Sequence, residues 1–191
     1  MAEPHFAMLW AENIPMYTQK DKNGKSTQIT IIAGKLGDIT APEPAPDSWA
    51  VNPENEVAIW LIKMEANAQW TIPPALHKIN RAIYFYKGSD INMEDTKILP
   101  YHSVDFEANQ AANIENGDEE ALILLLQGKP IHEPIVQYGP FVMNSKAEIQ
   151  QAFSDYQQNQ FGGWPWPRND YVHERNKGRF AKYADGKEEI K

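Results

Sequence analysis

Residues 121–144 read ALILLLQGKPIHEPIVQYGPFVMN, and the rest of the chain is organised around them. The stretch opens with an unbroken apolar run over residues 121–126. A run that short, closed by Gly128 and Pro130, predicts a strand buried on both faces rather than a helix. The loop that follows carries Pro130, Pro134 and Pro140 together with Gly128 and Gly139, so it cannot propagate a helix. It is also rich in large apolar groups, Ile131, Ile135, Val136, Tyr138, Phe141, Val142 and Met143, which predicts a loop clamped against a core. Ser145-Lys146-Ala147-Glu148 fits the S-x-x-E capping box and marks a helix start. Ile149, Ala152, Phe153 and Tyr156 then recur on one helical face, which predicts a helix over residues 146–159.

Working outward, residues 57–64 (VAIWLIKM), 81–86 (RAIYFY), 89–93 and 103–107 (SVDFE) read as short strands separated by turns. Together with residues 121–126 they predict an all-β barrel or sandwich. Upstream, DKNGK at 21–25 has Asn-Gly at its centre, a hairpin signal, and residues 28–33 read as a strand closed by Gly34 and Gly37. Residues 6–10 are short and apolar enough for another strand. The proline-rich segment APEPAPDSWAVNP at 41–53 reads as a linker or extended crossing, and the main domain is expected to begin there. The expected divisions are thus residues 1–50, 51–163 and a charged extended tail at 164–191, whose Trp164 and Trp166 either dock on a groove or pack on their own domain.

Composition narrows the function. The 191 residues are enough for one large domain or two small ones, and 42% hydrophobic residues allow a real core. A net charge of −8 with a pI near 5.1 argues against direct binding to nucleic acid, whose phosphates call for a basic surface. The absence of cysteine excludes disulfides and thiolate metal sites. No apolar run approaches the roughly 20 residues that span a bilayer, and MAEPHFAML lacks the basic start and long apolar core of a signal peptide, so no membrane partner and a cytoplasmic location are expected. Neither a glycine-rich phosphate loop nor a serine nucleophile elbow is present.

The pattern Gly128-x-Pro130-x-x-Glu133-Pro134, continued by Gly139-Pro140-Phe141-Val142-Met143-Asn144, resembles the pirin family. The likeness extends to HFAMLWAENIP at 5–15, which is similar to the pirin segment joining two domains, to Ile31-Ile32-Ala33-Gly34, and to Gly178-Arg179-Phe180-Ala181. The resemblance implies a mainly β fold, a cupin-like β-barrel or jelly roll of the RmlC-like kind with a C-terminal helix. It also implies two such barrels in tandem, the first holding iron for oxygen chemistry on flavonols such as quercetin and for iron-dependent partner binding in transcriptional co-regulation.

Cupin metal sites draw three histidines and a carboxylate from two motifs, G…H-x-H…E…G and G…P-x-G…H…N. Residues two apart on a strand face the same way, so the H-x-H pair can aim both imidazoles inward. Such a ligand set suits ferrous iron with open positions. Laid on the barrel that starts at Val57, with the last glycine at Gly88, the first motif puts its opening glycine on Gln69, its histidines on Ala75 and His77, and its glutamate on Arg81. The second motif, with its asparagine on Asn116, puts glycines on Tyr101 and Asn109, the proline on Glu107 and the histidine on Ala112. One ligand of four remains, and a cation stands where the anion should be, which repels a divalent ion.

No catalytic residue and no cofactor are therefore expected on this chain as it stands. The ligand-bearing part of the first barrel is expected to lie outside it, with residues 6–50 a remnant left without sheet partners. Open edges and apolar surface invite self-association, so a homodimer is expected, with strands from residues 6–37 swapped onto a second copy as one form. His77 and Arg81 are the pocket candidates; His77 reads either as a vestigial ligand or pocket base or as a polar residue at a barrel mouth. A new metal site built from His77 and His102 is the weaker alternative, and His102 alone reads as a surface group. His132 and Glu133 are adjacent and point opposite ways on an extended chain, so they read as structural, with Glu133 capping backbone donors. His173 and Glu174 read as solvated tail residues. The remaining reading is half of an iron-dependent dioxygenase, active only when joined to an N-terminal cupin.

Overall fold

The computed structural model describes residues 5–76, 78–163, 168, 172–183 and 185–191. It divides into two units, residues 1–130 and 131–191. The first is built from strands β1 (Met16–Lys20), β2 (Ser26–Ala33), β3 (Lys35–Leu36), β4 (Ile39–Thr40), β5 (Ala58–Met64), β6 (Gln69–Ile72), β7 (Asn80–Lys87), β8 (Ile91–Met93), β9 (Thr96–Ile98), β10 (His102–Asp105), β11 (Ala112–Asn116) and β12 (Ala121–Gly128). One sheet has the order β1-β2-β5-β12-β7-β10 and a second has β6-β11-β8-β9. Neighbouring strands run antiparallel throughout both sheets. This is the mainly β cupin architecture.

The central strand β12 lies between β5 and β7, and its register sets the core. Ile29, Ile62, Ile123 and Phe85 form one inward row across four strands, and Ile31, Trp60, Leu125 and Ile83 form the next. All eight are buried, and from the other sheet Trp70, Ile72, Ile91, Met93 and Ile114 join them. Burying one such side chain stabilises by about 1.5–3 kcal/mol, so these rows dominate the fold. The six apolar residues of β12 are not buried on both faces as expected. Ala121, Ile123 and Leu125 face the core, while Leu122, Leu124 and Leu126 are only partly covered, because successive side chains alternate between the two faces of the sheet.

Three readings change in the first 55 residues. Residues 6–10 form no strand; Trp10 is buried there and precedes a short 3-10 turn at Ala11–Asn13. β1 is a strand that apolar patterning missed, because it is a polar sheet edge. Nor does the segment 6–50 lack partners: β2 pairs with β1 on one side and with β5 on the other. Asp21 closes the β1–β2 turn by accepting from the backbone N–H groups of Asn23 and Lys25, and its second oxygen accepts from Gln69 N at the start of β6. At the far end of β2 a register shift lies between Ile31 and Ala33, and the next residue is Gly34, whose φ is +78° and whose absent Cβ would stand 2.3 Å from the Val57 carbonyl oxygen, so only glycine fits. The proline-rich segment is tied to the end of β12: Trp49 Nε1 donates to Lys129 O, and Lys129 N donates to Asn55 O.

In residues 131–191, β13 (Val136–Tyr138) and β14 (Phe141–Met143) form a hairpin across Gly139-Pro140. Gly139 has φ +56°, and glycine at the first position of a two-residue loop is what a type II′ turn wants. Helix α1 (Lys146–Asn159) starts at the capping box: Ser145 Oγ accepts from Glu148 N at 3.3 Å and donates to Glu148 Oε2 at 2.8 Å. Phe141 from the hairpin meets Phe153 edge-on at 4.8 Å and also contacts Tyr156 and Phe161. A last hairpin pairs β15 (Phe180–Lys182) with β16 (Glu188–Ile190). The apolar loop is not clamped: Ile135 is 80% and Tyr138 68% exposed. Trp164 and Trp166 lie outside the described residues.

Candidate functional site

At one end of the barrel the inward row reads Ala58, Gln127, Arg81 across β5, β12 and β7. Arg81 is 3% exposed. Its Nε donates to Gln127 Oε1 at 2.8 Å and its Nη1 to the Pro73 carbonyl at 2.8 Å, with the guanidinium 5.7 Å from the Phe106 ring centre. Gln127 Nε2 donates in turn to Glu56 O. Burial pulls the guanidinium below its ordinary pKa, opposed by the carboxylate of Glu56. Arginine keeps its charge regardless, so the barrel mouth is closed by a fixed cation held in a polar bracket.

Two other positions of the cupin motif, Ala75 and Ala112, sit at the same end. Ala112 pairs with Ile72, next to the Pro73 that receives Arg81, and Ala75 N donates to Ala108 O. His77 lies outside the described residues. Asn116, at the far end of β11, is buried, and its amide donates to the carbonyls of Met64, Glu65 and Glu119. That makes it a tie between strands.

Iron at the cupin ligand positions of this barrel would require histidine and carboxylate donors. The described positions offer Ala75, Arg81 and Ala112, two methyl groups and a cation, and the rows below them are filled with isoleucine, phenylalanine and tryptophan. Among the described residues no group of three or more histidine or acidic side chains is placed to hold a metal. This donor set does not fit iron.

His102 is exposed, and its Nδ1 lies 3.1 Å from the carbonyls of Leu99 and Pro100, which holds the ring on its own turn. Within the signature, Glu133 accepts from the Asn144 side chain rather than from backbone donors, a correction to its expected capping role. Gly128 ends β12 and Pro130 closes the first unit, while Pro134 lies in irregular chain before β13. Gly139 and Pro140 make the hairpin turn, and Phe141 anchors the ring cluster. His132 adopts φ +58° with its side chain exposed, and His173, also exposed, stacks edge-on against Phe180.

Two residues of the mouth escaped the sequence. Gln127 has no motif signal, being read only as the polar end of an apolar strand. Glu56 stands in the left-handed region at φ +44°, where both carboxylate oxygens accept from Leu76 N at 3.0 Å. Arg81 and Gln127 also line a dent of about 280 Å³ with Tyr84, Asp105 and Leu126, and a separate groove of about 450 Å³ is lined by Asn92, Glu94, Asp95, Asn113 and Glu115. In that groove Glu94 accepts from Asn113 N and Glu115 from Gln69 Nε2.

Comparison with known proteins follows the same outline. The pirin C-terminal cupin domain matches residues 59–162, more than half of the chain. A Pseudomonas aeruginosa protein named provisionally as a quercetin 2,3-dioxygenase is 35% identical over 137 residues, covering 68% of this chain and 44% of its own length. A pirin-like protein of Solanum lycopersicum is 29% identical over 161 residues, covering 82% and 50%. The crystal structure of a quercetin 2,3-dioxygenase from Acinetobacter baumannii superposes with a TM-score of 0.65 at 24% identity, over 81% of this chain and 50% of that one. The chain thus spans about half the length of the curated relatives it matches. With the strand order of a cupin and that domain running from β5 through α1, the chain belongs to the pirin family.

Proposed function

We propose that this chain is a pirin-type cupin module that serves binding or assembly rather than iron chemistry. The observation that carries the reading is Arg81, a buried cation bonded to Gln127 and Pro73 in the position where the cupin pattern calls for a carboxylate. A divalent ion brought to that mouth meets a like charge in a poorly solvated place, where repulsion is strongest. The barrel below it is lined with large apolar side chains, which offer no donor to a metal ion.

The test is elemental analysis of the protein purified without chelator and then incubated with ferrous iron. Less than a tenth of an equivalent per chain is expected, whereas the triple variant A75H/R81E/A112H, which restores the pattern around His77, gains close to one equivalent. About one iron per unmodified chain would overturn the reading and direct attention to His5, His77 and His102.

A second reading is favoured by the relatives' names and by the half-length match: the chain acts within an iron-dependent quercetin 2,3-dioxygenase-type pirin, active only beside an N-terminal cupin. Adding a separately produced first barrel of a relative and following quercetin loss separates the two. The charge of −8 supports a role without direct nucleic-acid contact. Among the described residues no helix is long and apolar enough to cross a membrane. A cytoplasmic location is part of the proposal, and fractionation of cells producing the protein tests it.

A further inference from the structure

We propose that the outer face of the six-stranded sheet is the contact surface between two copies of this chain. The proposal deepens the assembly reading above and rests on it.

An antiparallel sheet with one face in water places polar side chains on that face. Here the outward rows are apolar across the three central strands. Leu61 of β5 stands opposite Leu124 of β12, which stands opposite Tyr84 of β7; in the next row Ile59, Leu126 and Ala82 are aligned the same way. Leu61 and Leu126 are each 36% and Tyr84 is 42% exposed. Leucine repeated at every outward position of β12 is the composition of a strand covered on both sides, and the core covers only one.

Three observations point to a second copy. The first is charge. On a chain of net −8, the outward side chains of the six strands include Lys20, Lys63, Lys87 and Asp105 as their charged members, and Lys63 and Lys87 lie within 4 Å of the Glu120 carboxylate, at 2.8 and 3.9 Å. The face is therefore close to neutral, and two of them can approach without the repulsion that the rest of the surface imposes.

The second is complementarity. Lys63 and Lys87 mark one end of the rows and Asp105, opposite Ala82, lies toward the other. A two-fold axis running across the strands reverses the ends, so the lysine end of one copy meets Asp105 of its partner, while leucine rows meet leucine rows. The dent of about 280 Å³ between Tyr84, Asp105 and Leu126 then receives a side chain from the facing copy. Such an interface is isologous and closes at two.

The third is area. Five strands about 4.8 Å apart and rows spanning about 20 Å give roughly 500 Å² per copy. The total of about 1,000 Å² reaches the lower bound for a specific interface, so the dimer is weak and reversible, in the micromolar range.

The experiment is sedimentation velocity of the full chain from about 1 to 300 µM, on the unmodified protein, on L61E/L124E and on L61T/L126T. Threonine keeps strand propensity if glutamate disturbs the fold, and circular dichroism establishes that each variant is folded. The expected result is a monomer–dimer equilibrium in the unmodified protein, weakened at least 10-fold in whichever variants fold. A monomer at every concentration overturns the proposal. A dimer that both folded variants retain also overturns it, since the contact then lies elsewhere, as it does if strands of residues 6–37 are exchanged. Metal content is read on the same samples, so a failed surface and a failed module reading are told apart.

Discussion

Residues 1–130 bury whole rows of isoleucine, phenylalanine and tryptophan between two sheets, whereas among the described residues of 131–191 the fully buried apolar side chains are Ile149, Ala152 and Ala181. The second unit holds instead by edges and caps: a ring cluster around Phe141, a helix cap at Ser145, and the Glu133–Asn144 bond. Both halves of the opening stretch are apolar in sequence, yet one becomes the centre of a core and the other remains largely exposed. The difference is pairing. A strand hydrogen-bonded on both sides must keep its register, and register directs every second side chain inward. A loop broken by prolines has no such rule, and its apolar groups find cover only where a short hairpin meets a helix.

The contrast can be broken most directly in the core. Phe85→Ala is expected to cost about 3–5 kcal/mol, because the ring is fully buried and its neighbours can collapse only in part. Tyr138→Ala, for a ring 68% exposed, should cost under about 1 kcal/mol by the ordinary scale of surface changes. Equal losses in urea unfolding would abolish the distinction. Gly34→Ala comes next, at roughly 2 kcal/mol or more, since a methyl group meets the Val57 carbonyl on a backbone at φ +78°. Phe141→Ala should lower the stability of the C-terminal unit by about 2 kcal/mol, combining partial burial with three edge-on ring contacts. Hydrogen exchange resolved by segment is the measurement: α1 amides lose protection while those of β5 and β12 keep theirs. Ser145→Ala acts in the same place at about 1 kcal/mol.

The smallest effect is acidic. Desolvation raises the pKa of Asp21, but the backbone donors of Lys25, Gln69 and Asn23 together outweigh it, helped by Lys22, and hold the carboxyl below its ordinary value. The folded pKa is lower than the unfolded one, so the contribution is present above the unfolded value and is lost as pH falls through the folded one. Urea midpoints of the native protein and of Asp21→Asn should therefore differ at neutral pH and converge below the ordinary carboxylate range. A gap unchanged in acid would show that the hydrogen-bond geometry, and not the charge, is what Asp21 supplies.

How much of this could be read in advance depends on what each residue's role requires. β5, β7 and β12 were legible because burial imposes alternation or an apolar run. β6, β9 and β11 were not, being three to five residues long and largely polar on their outer side. β1 was missed because an edge strand profits from Lys20 and Gln19, which pattern reading counts as loop. Residues 6–10 are apolar without pairing: Trp10 is buried at the start of a turn, while Phe6 and Leu9 stay exposed, and composition does not tell such a segment from a strand. At the barrel mouth Arg81 is singled out by the cupin motif that the resemblance supplies. Its partners Gln127 and Glu56 lie 46 and 25 positions away in the chain, and only the register of β12 against β7 and the left-handed backbone at Glu56 bring them there.

The position of β12 also matters before the fold exists. β5 and β7 are neighbours in time but not in space, since the strand that joins them is made last. A ribosome adding about 5–20 residues per second needs roughly 3–13 s to pass from Met64 to Gly128. Throughout that interval VAIWLIKM has nothing to pair with on its β12 side, and β7 joins it as an open edge once Lys87 is made. The nascent chain is then most exposed to wrong partners, and a chaperone that holds extended apolar segments would find its binding site in β5 until β12 emerges.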